Sequence, residues 1–599
     1  MDENMESSLS LPQFEVLYEI SKADSALSCE DLEKLTSLSS DTVSVAMQEL
    51  AQLGYTSENM VTDAGISALE PYRVKNAVIM AAGLSSRFAP ISYERPKGTL
   101  LVRGEILMER QIDQLLEAGI TDITLIVGYK KEYYFYLKEK YDIDIIVNKE
   151  YSTRNNNGSL WLVKEKLDNT YICSSDNYFT ENPFRSHEYH TYYAAQYAYG
   201  ETDEWCIDYD EDGLIVGAVE GGADSWIMMG HAYFDSTFAQ NFRDVLHRVY
   251  HLPHTAGKLW DVVYLDHINE LDMWIKKYPD NTILEFDSVD ELREFDPDFM
   301  QNVDSEIFDN ISSALHCEKS KIHDFYPLKQ GLTNLSCHFS VENNEYVYRH
   351  PGIGTEKIID RNAELTALAQ ARELGFDSTF VVGDAAKGWK ISRFIPNART
   401  LDASNDDELK TAMEIAHRLH NSSMVLDKHF DYVEEGLRFS KLNEQIAPIE
   451  VPGYYTLQNK IIELKKFADA DGYPTVPSHN DFFQLNFLIE EDGSMNLIDW
   501  EYAGISDAAA DFGTLVVHDE NMTDERADEA LTYYFGREPS AKERRHFWAY
   551  VTFSGWFWYV WALLKEAEGD ELGEWLLTYY TYATKYVDSL LQDYKNSSK

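Results

Sequence analysis

Between residues 76 and 298, short apolar runs alternate with stretches of helical periodicity: AVIMAAG at 77–83, ITLIVGY at 123–129, IDIIVN at 143–148 and TYICSSD at 170–176. Runs of this kind separated by helices fold as a largely parallel α/β sheet. A sheet of that class gathers its ligands at the carboxyl ends of the strands. The residues that follow each run are therefore the ones to read for chemistry.

The rest of the chain does not continue this pattern. With 599 residues it exceeds what one core supports, and about three or four domains are expected. Residues 1–72 show three helical patterns, at 11–21, 29–38 and 42–53, separated by Ser-rich breaks. That outline predicts a winged helix-turn-helix-like domain. Residues 73–300 form the α/β part, Rossmann-like and GT-A-like in expectation. A connector rich in Asp and Asn runs from Asp296 to Asn310, the linker is set at 301–321, and 322–599 reads as strand hairpins and then long helices. The last part is thus an α+β domain.

Charge narrows the partners. The formal net charge is -51, from 52 basic and 103 acidic residues, so nucleic acid and anionic lipid surfaces are poor partners. Up to Tyr72 only Lys22 and Lys34 stand against fourteen acidic residues, and 40–50, the would-be recognition helix, holds no Lys or Arg. An interdomain or dimerisation role suits the first domain better than DNA binding. The five cysteines are scattered without a CxxC pair, which suits a reducing compartment and no zinc site. The acidic start and the absence of a long apolar run predict a cytoplasmic protein without membrane insertion. Oligomeric state is left open, a homo-oligomer included.

The first chemical constellation follows the run at 77–83. Ala82-Gly83-Leu84-Ser85-Ser86-Arg87 leads to Pro90 and then to Arg95-Pro96-Lys97. A backbone turn of this kind wraps a triphosphate while Arg87 and Lys97 neutralise it. The segment resembles the nucleotidyltransferase signature A-A-G-x-G-x-R with a following P-K, and in particular the phosphocholine cytidylyltransferases of bacterial surface decoration. Ser85 stands where that family has its second glycine. The resemblance implies CTP as substrate and a Mg²⁺ held by Asp176, in Ser174-Ser175-Asp176-Asn177, with Asp261 as second carboxylate. Asp261 is open to a second reading as a helix-capping aspartate. Gly158 and Ser159, in a loop before a helix, are expected at the base, or else are an ordinary helix start.

The second constellation is His479-Asn480-Asp481, then Asn486, then Asp499 in Leu497-Ile498-Asp499-Trp500-Glu501. Two strands around Glu491-Asp492-Gly493-Ser494 read as a hairpin, and closing it sets Asn486 opposite Asp499. Two such oxygens suit Mg²⁺ on ATP phosphates, and Asp481 in the entering loop is placed to accept the proton of an attacking hydroxyl. The pattern resembles the choline and aminoglycoside kinase superfamily, and so a protein kinase-like fold. The resemblance implies a phosphate-covering loop through Gly331 and Asn334, a phosphate cation in Arg349, and Glu364 as its partner. His479 reads as structural.

A quaternary ammonium has no N–H to donate and is recognised by aromatic faces. Trp558 and Trp561 lie three apart on one helix face and match the choline-contacting tryptophans of choline kinases, with Tyr580 as a further wall. Trp205 and Trp226 could serve phosphocholine in the other domain. An aromatic stripe at helical spacing is also what a core shows. The expectation is a two-step enzyme making phosphocholine and then CDP-choline for decoration of surface glycans or lipids. Ethanolamine or 2-aminoethylphosphonate is the rival substrate, and a ligand-sensing DNA-binding regulator the rival class.

Overall fold

The computed structural model describes residues 9–328, 334–352, 358–519, 522–570 and 572–597. The chain divides into two compact units: residues up to Asn310 with Phe325–Pro327, and residues 311–324 with those from Leu328 onward.

The first unit opens with helices Leu11–Lys22, Cys29–Thr36 and Ser40–Gln52 and a short antiparallel pair, Thr56–Ser57 with Met60–Val61. The Ser-rich breaks are the helix caps: Ser10 and Ser28 each form a capping box, and Ser39 accepts from the Thr42 N–H. Each such cap satisfies N–H groups that the helix cannot. The apolar faces meet in a small core of Phe14, Leu17, Leu32, Val43 and Leu50. Tyr72 and Tyr189 stack beside it at 5.6 Å, and Arg185 donates to both Glu15 oxygens at 2.9 Å. This helical layer therefore shares its core with the α/β part.

The main sheet has seven strands, in the order Trp274–Lys277, Tyr192–Tyr209, Ile215–Phe234, Thr170–Ser174, Asn76–Ala81, Ile123–Val127 and Asp144–Val147. The last four pair in parallel, and the two long strands form an antiparallel ribbon at the other side. Alternation along Asn76–Ala81 supplies a core on each face: Ala77, Ile79 and Ala81 enter one, Val78 the other. The four parallel strands are the apolar runs read from the sequence. The ribbon makes the sheet mixed.

Helices Phe299–Asn302 and Glu306–Leu315 lie in the region of the expected linker, and Glu94 accepts from the Ser305 hydroxyl and, at 3.0 Å, from the Ile307 N–H.

In the second unit, strands Asn334–Val341, Asn344–Pro351, Trp389–Arg393 and Phe380–Asp384 pair antiparallel in that order. Helix Arg361–Glu373 follows the second of them. The hairpin of Phe487–Ile489 with Met495–Leu497 comes next, then helix Ala509–His518 and the 28-residue helix Ala541–Glu568. That long helix is buried on most sides, with Trp556, Phe557 and Val560 at its centre. Among the described residues no helix is long and apolar enough to cross a membrane.

Candidate active sites

Strand Asn76–Ala81 delivers the turn Ala82–Ser85 to a cavity of about 480 Å³, lined also by Asn156, Ser159 and Asp176. Ser85 adopts φ +48°, the left-handed conformation that glycine takes freely and other residues take at about 1 kcal/mol. That explains a glycine at this place in the signature. Lys97 is buried, and its Nζ lies 3.2 Å from Asp176 Oδ2 and 5.4 Å from the centre of the Phe88 ring. A buried ammonium requires such a carboxylate partner.

Asp176 has a neighbour that local sequence does not announce. Strand Ile283–Glu285 pairs with Asn177–Phe179, setting Glu285 opposite Asn177, whose amide donates to Glu285 at 3.2 Å. The charge of Asp176, followed by burial, pushes the Glu285 carboxyl well up, with Lys97 opposing. Asp261 stands near the start of helix Trp260–Asp266, where Asn156 accepts the Trp260 N–H at 2.7 Å and so ties that helix to the cavity wall. Burial raises the Asp261 carboxyl, while the Val262 N–H and the Tyr193 hydroxyl lower it. The Tyr193 hydroxyl is acted on by the charges of both Asp261 and Glu285.

The other expected residues separate. Arg87 is largely exposed and bridges Asp287 through two contacts of 3.1 Å. Gly158 packs so that a Cβ would come 2.9 Å from the Arg154 side chain, and Ser159 Oγ accepts from Asn148 at 3.3 Å. Trp205 and Trp226 are half-buried on the ribbon. Lys277 already lies over the Trp226 ring at 5.1 Å. One face of that ring is therefore shared with the chain's own ammonium.

In the second unit the hairpin closes one residue away from the expected register. Phe487 pairs with Leu497, and the Ile498 N–H donates to the Asn486 carbonyl at 2.8 Å, so Asn486 stands opposite Ile498 and not Asp499. Asp499 then turns to φ +68°. The Asn486 amide donates to the Asp481 carboxylate at 2.9 Å. Burial, then the charges of Asp499 and Glu501, push Asp481 well up, while Asn486 opposes.

The backbone of this loop is fixed from behind. Asp511 accepts the His479 N–H at 3.0 Å and the Asn480 N–H at 2.6 Å, and is itself within 3.0 Å of His420 Nε2. His479 Nε2 meets the Ile498 carbonyl at 3.0 Å, a structural role. Arg349 reaches Asp499 and Glu501, while Glu364 is closest to Lys390 and Arg361, each at 2.8 Å. The expected Arg349–Glu364 pair is the looser one, at 3.6 Å. Gly331 lies outside the described residues, and Asn334 opens the strand Asn334–Val341.

A ring-lined region adjoins this group. Trp558 and Trp561 meet edge to face at 5.5 Å, and Trp558 also meets Tyr502 at 5.6 Å and His518 at 4.9 Å. Tyr579 completes the group, with its hydroxyl 3.1 Å from His518 Nε2 and affected by the charge of Asp481. Tyr580, the expected wall, is exposed beside Tyr559, because one step along a helix turns the side chain by about 100°. Burial pushes His518 down to about 4, so the ring region carries no positive histidine at neutral pH.

Comparison with known proteins finds relatives for both parts of the chain. The family model for a MobA-like NTP transferase domain matches residues 77–192, and that for choline/ethanolamine kinase matches 325–547. A choline-phosphate cytidylyltransferase of Streptococcus pneumoniae is 36% identical over 220 residues, 37% of this chain and 96% of that protein. The chain joins a choline-phosphate cytidylyltransferase-family domain to a choline kinase-like domain. A 2-aminoethylphosphonate cytidylyltransferase of Lancefieldella rimae is also 36% identical, covering 37% of the fusion and 92% of its own length. Protein LicA of Haemophilus influenzae is 24% identical over 43% of the fusion and 100% of its own length.

Proposed function

We propose that the fusion phosphorylates choline with ATP in its second unit and couples phosphocholine to CTP in its first, giving CDP-choline and pyrophosphate. The observation that carries this reading is that Asn480, next to Asp481, donates to the Tyr502 carbonyl at 3.0 Å, while the Tyr502 ring meets Trp558 at 5.6 Å. A methylated ammonium rests on aromatic faces, and its hydroxyl then lies toward a carboxylate that Asn486 orients. Asp481 accepts the hydroxyl proton as its oxygen bonds to phosphorus.

In the transferase unit the protein supplies no nucleophile. A phosphate oxygen of phosphocholine attacks the α-phosphorus of CTP and pyrophosphate leaves, so Lys97 acts by neutralising charge and the Ala82–Ser85 turn by holding the triphosphate. Arg87 joins it on leaving Asp287. Ser159, which lines the cavity, and its neighbour Gly158 are assigned to the base, and Trp205 to the methylated amine.

Mg²⁺ fits both centres, whose donors are hard oxygens: Asp176 with Asp261 or Glu285 in one, and Asp499 with Asn486 in the other. Held by these residues, the ion would supply positive charge to the phosphate oxygens. The Gly331–Asn334 loop is assigned to the ATP phosphates. We assign the fusion to the cytoplasm, where both nucleotides are available, and its product to the decoration of surface glycans or lipids. The three-part division at 1–72, 73–300 and 322–599 remains our reading of its organisation.

The equal similarity to a 2-aminoethylphosphonate enzyme supports a second acceptor for the transferase. Phosphorus NMR of the full chain with Mg²⁺, ATP and CTP decides between them. Choline should give phosphocholine and then CDP-choline with pyrophosphate. Faster turnover of ethanolamine, or a cytidylyl product from 2-aminoethylphosphonate alone, would reject choline.

A further inference from the structure

Arg349 and Lys390 stand directly opposite each other on the antiparallel strands Asn344–Pro351 and Trp389–Arg393. Opposite residues of such a pair project to the same face. Both side chains reach a group of three carboxylates, Glu364, Asp499 and Glu501, whose oxygens lie within 4.8 Å of one another. Arg361 is the third cation, so three positive groups meet three negative ones.

The division of contacts is uneven. Arg349 spends one nitrogen on Asp499 and another on Glu501. Glu364 is covered by others: Arg361 donates to its Oε2 and Lys390 to its Oε1, each at 2.8 Å. Arg349 is the next cation to that same Oε1, at 3.6 Å. Burial raises the Glu364 carboxyl, but Lys390, then Arg349 and Arg361, outweigh it and hold it low.

We propose, resting on the kinase reading above, that Lys390 is a positioning residue: it keeps Glu364 Oε1 neutralised, so that Arg349 can leave Asp499 for the nucleotide phosphates when a metal–nucleotide complex takes that aspartate. A carboxylate buried to 2% exposure captures the nearest cation if its partner is removed. Without Lys390 that cation is Arg349, which would be drawn to Glu364 and away from the phosphates. Lys390 thus serves the helix glutamate, and Arg349 keeps the phosphate role while Glu364 is no longer its close partner.

Calorimetric titration of ADP into the full chain, with CTP saturating the other unit and with or without Mg²⁺, tests this. Lys390→Met should weaken ADP binding by about ten-fold or more, whereas Lys390→Arg should stay within about three-fold of the parent, since charge at Glu364 is what matters. Adding Glu364→Gln to Lys390→Met removes the unpaired carboxylate and should restore most of the affinity. Parental affinity in Lys390→Met, or a double variant as weak as the single, would overturn the proposal, the latter because Lys390 would then touch phosphate itself. A parent chain that binds no ADP would remove the kinase reading and this proposal together.

Discussion

Lys97 and Asp481 are the residues on which the two proposed chemistries turn, and both are buried. The Lys97 Nζ lies 5.4 Å from the centre of the Phe88 ring and 3.2 Å from Asp176 Oδ2. Its removal should leave phosphate charge unopposed, lowering kcat for CDP-choline formation about 10²–10³-fold. Lys97→Ala assayed with supplied phosphocholine checks this, and choline phosphorylation by the same variant should be unchanged. Asp481 must lose its proton to act as a base, and its surroundings raise its pKa above the ordinary aspartate range. The base form is then lost as pH falls through that raised value. The acidic limb of kcat/KM for choline phosphorylation should therefore lie above the range of a solvated aspartate, about 4, as a pH–rate profile would show.

Among the elements of the second unit, a tight fit joins helix Tyr432–Ile446 to the long helix Ala541–Glu568. A Cβ on Gly436 would come 2.3 Å from the Trp556 ring, and Trp556 is fully buried. Gly436→Ala should therefore overpack this contact and destabilise the second unit by about 1–3 kcal/mol, measurable by chemical denaturation. Elements of this kind were legible where periodicity and caps agree: the parallel strands, the turn after Ala81, and the hairpin about Gly493. What escaped depends on long-range pairing or on a single turn of backbone. Glu285 reaches Asp176 through a strand more than a hundred residues further on, and nothing beside it marks it. The left-handed Asp499 shifts the hairpin end by one residue. Tyr579 and Tyr580 are equivalent in sequence until packing chooses the face. Lys390 becomes visible only when its strand is paired with that of Arg349.

At the scale of the whole molecule, each centre is built within one compact unit: Lys97, Asp176, Asp261 and Glu285 in the first, Arg349, Glu364, Asp481, Asn486 and Asp499 in the second. Among the described residues each of these sets belongs to one unit, so the proposed reactions need only a shared, diffusible intermediate. Fusion raises the concentration of that intermediate near its consumer, but the chemistry does not depend on it. A mixture of two disabled chains, one carrying Asp481→Ala and the other Lys97→Ala, should therefore make CDP-choline from choline, ATP and CTP. Phosphocholine released by the second variant must first accumulate toward the KM of the first, so the product curve should start with a lag. That lag should shorten as the Lys97→Ala chain is increased and vanish when phosphocholine is supplied. Stopped aliquots analysed by phosphorus NMR follow both compounds. If the mixture made no CDP-choline while each variant kept its remaining activity, the intermediate would have to pass within a single chain, and the independence of the two centres would be refuted.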